Sequence, residues 1–120
     1  MNNFERIAKL GQMIWCVKPS QFRIKEMRDQ MTLARRLEFR QTIKEHSLKH
    51  YAMKIHHIIP LSYGGTNKFS NLCLVDETTH DLLHFYMFQM NKPMKDGQRG
   101  CVWIPMIQKK YSLFNNLLTL

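Results

Sequence analysis

Residues 53–86 read MKIHHIIPLSYGGTNKFSNLCLVDETTHDLLHFY and hold four of the chain's six histidines, as His56-His57 and as His80 and His84. Met53 to Ile59 is rich in β-branched residues and closed by Pro60, which predicts a strand. Leu61 to Ser70 carries Gly64-Gly65 and Asn67 and reads as a compact loop. Asn71 to Val75 reads as a second, short strand. Asp76 or Thr78 is placed to cap a helix running through His80, Leu83, Tyr86 and Met90, which Lys92-Pro93 ends. The order strand, loop, strand, helix is a ββα element.

The histidine spacing carries the chemistry. His80 and His84, four apart on a helix, share one face with Cβ atoms about 5–6 Å apart, a bidentate platform for a transition metal. On its own such a pair also describes two ordinary surface histidines. The strand tightens the case. Neighbouring strand residues point to opposite faces, so His56 and His57 do not both reach one ion without a bulge. One joins the helix pair as a third ligand and the other has a different task. Three imidazoles leave coordination positions open, as catalytic metal sites do. The remaining histidine suits a base that titrates near neutrality.

Outward from this centre the chain is basic. Eighteen Lys and Arg against nine Asp and Glu give a net charge of +9 in 120 residues, which predicts attraction to a polyanion, most simply nucleic acid. Residues 1–50 carry net +6, residues 51–92 none and residues 93–120 net +3. The expected organisation is therefore a basic helical region (1–50), a ββα core (51–92) and a C-terminal extension (93–120) packing on it. Residues 3–17 suggest a short amphipathic helix through Phe4, Ile7, Leu10 and Ile14. Lys18-Pro19 breaks it, and Ser20 caps a long basic helix expected from Gln21 to about Leu48. Arg28, Arg35, Arg36 and Arg40 lie off its apolar stripe, placed to grip phosphates or simply to keep the surface soluble. His46 and His50 fit exposed helix histidines better than a second site. Trp15, Trp103 and Phe114 are expected to pack.

No apolar run is long enough to span a bilayer, and MNNFERIAKL lacks the layout of a secretory signal. Cys16, Cys73 and Cys101 are odd in number and widely spaced, which suits reduced thiols in an intracellular compartment.

The run from His56 through Pro60, Gly64-Gly65, Asn67 and Asn71 to His80 and His84 resembles the HNH nuclease motif, a ββα-metal (His-Me finger) fold, over roughly a quarter of the chain. The resemblance implies an α+β domain and a DNA endonuclease of low sequence specificity. It assigns His56, His80 and His84 as ligands of one divalent metal and His57 as the general base. Asn71 would orient the ring of His57. Similar segments occur in phage endonucleases, group II intron-encoded proteins and bacterial toxins, so a larger nucleoprotein or phage assembly is a possible setting.

The chain departs from the family pattern at three points. Lys54 stands where such segments often carry Glu, two residues before the histidine pair, and suits a phosphate contact. Asp76 and Thr79 occupy positions where many members carry a zinc-binding CxxC pair, so the contacts of Phe85, Phe88 and the flanks are expected to stabilise the unit instead. An all-imidazole ligand set favours Zn²⁺, Ni²⁺ or Co²⁺ over Mg²⁺, so activity is expected with a transition ion, Mn²⁺ among them. Two rival readings are a non-catalytic HNH-derived nucleic-acid-binding or assembly subunit, and a protein in which zinc merely staples the fold.

Overall fold

The computed structural model describes residues 2–31 and 53–107. Among the described residues the chain mixes helices with two small antiparallel sheets, with the ββα element at its centre. In order, the elements are α1 (Asn3–Ala8), β1 (Gly11–Val17), α2 (Gln21–Asp29), β2 (Met53–His57), β3 (Leu72–Asp76), α3 (Glu77–Met90) and β4 (Arg99–Pro105). Single 3₁₀ turns occupy Leu61–Tyr63 and Phe69–Asn71.

Strands β2 and β3 pair antiparallel, with His56 opposite Cys73 and His57 opposite Leu72. Helix α3 follows β3 without a linker because Asp76 caps it, its carboxylate accepting the backbone N–H of Thr79 at 2.7 Å. Of the two capping residues the sequence offered, Asp76 takes the role. Leu83 and Met87, one turn apart on α3, are 0% and 3% exposed. They pack with Ile7 of α1, Val75 of β3 and Val102 and Ile104 of β4 in one cluster. Burial of each such side chain contributes about 1.5–3 kcal/mol. At its other end α3 is tied to β4 through Asn91. That side chain accepts the backbone N–H of Trp103 at 2.7 Å and donates to its carbonyl at 2.9 Å.

The flanks differ from expectation. The helix expected over residues 3–17 ends at Ala8, and Gly11–Val17 is instead a strand paired along its length with Arg99–Pro105. The run MIWCV has no polar interruption, so it fits either period. The partner strand settles the matter. Cys16 turns into the core, while Met13, Trp15 and Val17 face out. Trp15, expected to pack, is 66% exposed, whereas Trp103 is buried as expected. Phe85 and Phe88, at 53% and 75% exposed, stay outside the core; Leu83 and Met87 fill it.

Ser20 caps α2 as expected, accepting from Arg23 N at 3.1 Å. The helix stops at Asp29 with Gln30 as its C-cap, well short of Leu48. Arg35, Arg36, Arg40, His46, His50 and Phe114 lie outside the described residues. No helix among the described residues is long and apolar enough to cross a membrane.

Candidate metal centre and general base

Strand alternation separates the two adjacent histidines without a bulge. His56 turns inward and is 0% exposed, while His57 is half-buried on the other face of β2. Helix α3 crosses the inward face and brings His80 and His84 to His56. Each of the three rings offers one nitrogen, and these nitrogens lie within 4.8 Å of one another. The ring centroids are 5.5 Å (His56–His80), 5.6 Å (His56–His84) and 4.4 Å (His80–His84) apart.

Neither nitrogen of His56 has a hydrogen-bond partner, although both are fully buried. An orphaned buried polar atom costs about 1–3 kcal/mol, so an unliganded ring here is an expense that coordination would offset. Burial, and then the neighbouring rings of His84, His80 and His57, push the His56 pKa down to about 3. Burial also lowers His80, helped by the nearby Lys54 ammonium, and lowers His84, helped by His80. All three rings are thereby held neutral, the form that binds a metal. Three converging neutral imidazoles fit a divalent transition ion. Asp81 approaches His80 Nδ1 at 3.8 Å, longer than a hydrogen bond.

The His57 ring contacts the loop that hydrogen-bonds to α2 and stays within electrostatic range of all three cluster rings. Its Nε2 lies 2.9 Å from Oδ1 of Asn67. The Asn67 amide nitrogen donates to the carbonyl of Met27 at 2.6 Å, which fixes which end of the amide faces the ring. Oδ1 can only accept, so Nε2 carries the hydrogen and Nδ1 keeps its lone pair. Burial lowers the His57 pKa; the Asn67 bond opposes this, and the charge of Arg28 adds to it. Arg28, expected to contact nucleic acid, therefore sits within electrostatic reach of His57 on exposed α2.

Asn71 has a different task from the one expected. Its amide nitrogen donates to the carbonyls of Ile59 at 3.0 Å and Thr66 at 2.8 Å, and its Oδ1 accepts from Ile59 N at 2.9 Å. It clamps the loop that follows His57, while the contact to the ring comes from Asn67. The loop closes tightly because Gly64 adopts φ +86° and a Cβ at Gly65 would overlap the backbone of Ile59. Nothing in the spacing marked Asn67 apart from an ordinary turn asparagine, and the Met27 carbonyl leaves no side-chain signal. Lys54 is exposed and lies 3.8 Å from Glu77 of α3.

The family model for HNH endonuclease matches residues 42–84, a segment that contains all four of these histidines and Asn71. No curated protein matches the chain, nor does any solved structure.

Proposed function

We propose that the chain is a metal-dependent endonuclease hydrolysing DNA phosphodiester bonds with low sequence specificity, a reading that the match of residues 42–84 to the HNH endonuclease family supports. The convergence of His56, His80 and His84 within 4.8 Å, with a separately oriented imidazole one residue away on β2, is the observation that carries this reading. A closed structural site would need no such fourth ring.

Phosphodiester hydrolysis needs a base for the attacking water and a positive charge for the leaving oxygen. His56, His80 and His84 would hold one divalent ion, Zn, Ni, Mn or Mg, which would supply Lewis acidity for the phosphate and the leaving 3′ oxygen. His57 Nδ1 takes the proton of the attacking water, and its lowered pKa keeps it unprotonated at neutral pH. Asn67 holds the ring by Nε2–H, so the base does not swing during transfer. Asn71 holds the loop from which Asn67 projects. Arg28 and Lys54 take phosphate oxygens on either side, contacts that position the strand without reading its bases. The products are a 5′-phosphate and a 3′-hydroxyl.

Plasmid cleavage with Mg²⁺, Mn²⁺, Ni²⁺ and Zn²⁺, on the wild type and on His57→Ala, tests the reading. Cleavage that depends on the ion, and is lost in a variant that still binds metal, supports it. Binding without cleavage in every ion contradicts it and favours a non-catalytic nucleic-acid-binding subunit.

A further inference from the structure

A groove of about 430 Å³ opens beside the metal triad, between α3 and the turn that follows β2. Pro60, Ser62 and Tyr63 form one wall, and His84, Phe85 and Phe88 the other. His84 thus belongs to both the triad and the groove. His80, His84 and Phe88 recur every four residues, on one face of α3. Four residues of helix rise about 6 Å, so a phosphate held at the triad lies one helical turn from the Phe88 ring.

We propose that this groove is a nucleobase subsite, and that the substrate is nucleic acid with an unpaired base beside the scissile phosphate. The inference rests on the endonuclease reading above. Phe85 and Phe88 are 53% and 75% exposed and lie outside the core that Leu83 and Met87 build. No acidic or basic chain other than His84 lines the groove, so its occupant is not a second phosphate. A base offers what the walls accept: π faces for the phenylalanine rings and a polar edge for the Ser62 hydroxyl. Its place is set by continuity with the triad, because the nucleotide whose phosphate reaches His84 must put its base nearby. Stacking on an aromatic ring contributes about 1–3 kcal/mol per base and tolerates any sequence. A base inside a duplex cannot reach such a shelf, so single-stranded or locally opened nucleic acid is the favoured substrate.

The test is fluorescence anisotropy at fixed salt in a His57→Ala background, which prevents cleavage. The probes are a labelled oligothymidylate and an abasic sugar–phosphate oligomer of the same length. The unaltered groove should bind the base-bearing probe about tenfold more tightly. Phe85→Ala/Phe88→Ala should bring the ratio close to one, Phe88→Leu should lower it, and Phe88→Trp should retain it. Both positions are exposed, and circular dichroism of each variant checks the fold. A ratio near one in the unaltered groove, or an unchanged ratio in the double variant, overturns the proposal. So does a result in which the double variant loses self-association while the ratio stands, since the groove would then seat a second copy. Failure of the endonuclease reading looks different: no cleavage of plasmid or of circular single-stranded DNA by the wild type in any ion, with the preference for bases intact.

Discussion

The Asn67 carboxamide bridges His57 and Met27, thirty residues apart in the chain, accepting from His57 Nε2 at 2.9 Å and donating to the Met27 carbonyl at 2.6 Å. Helix α2 thereby fixes the tautomer of a ring on β2, although α2 lies outside the ββα element. The basic flank is then more than an electrostatic handle, because it orients the His57 ring.

Removal of that bridge should impair proton transfer and leave metal binding intact. Asn67→Ala should lower kcat roughly tenfold to a hundredfold, part of the 10²–10⁴ that a placed base contributes. Asn67→Asp should shift the acid limb of the pH–rate profile upward, because a carboxylate beside the ring stabilises its protonated form. Steady-state kinetics against pH, with metal affinity measured in parallel, checks both. An unmoved acid limb in Asn67→Asp would separate Asn67 from the base.

Acid should destabilise the metal-free protein through His56. The unfolded chain takes up this proton near pH 6.5, and the folded chain only near 3. The stability contributed by the neutral ring is therefore complete above pH 6.5 and is lost as the pH falls toward 3. The depressed values of His57, His80 and His84 act in the same direction. Urea unfolding with a chelator at several pH values should show this decline, and His56→Met should flatten it. A decline of equal steepness in the variant would place its origin elsewhere.

Arg28 should count as one phosphate contact. In a plot of log affinity against log salt, Arg28→Ala should reduce the slope by about one and weaken binding evenly across sequences. Filter binding to two unrelated oligonucleotides over a salt series measures both effects. An unchanged slope would confine Arg28 to tuning His57.

The metal cluster was legible because two short-range periods specify it. The four-residue spacing puts His80 and His84 on one helix face, and strand alternation allows only one of His56 and His57 to join them. The capping of α2 and α3 by Ser20 and Asp76 was legible for the same reason, since each cap acts within three residues. Long-range pairing was not. Gly11–Val17 becomes a strand because Arg99–Pro105 lies beside it, and no local pattern announces a partner so distant in the chain. Asn67 and Asn71 are both loop asparagines, and only the folded loop reveals which one faces the ring and which one clamps the backbone. The outward aspect of Trp15, Phe85 and Phe88 was hidden likewise, because residue type predicts burial and tertiary packing decides it.

His56, His80 and His84 are expected to hold a single cation. Calorimetric titration of the chelator-stripped protein with Zn²⁺ and Ni²⁺, joined to X-ray absorption of the loaded form, tests it most directly. One ion per chain, with three nitrogen ligands, is the expected result. Replacing any one of the three by Ala should weaken affinity by more than the ~10–100-fold that loss of an outer-sphere partner costs, while His57→Ala should leave it unchanged. Stoichiometric binding that survives the loss of any of the three, or that fails in His57→Ala, would contradict the account.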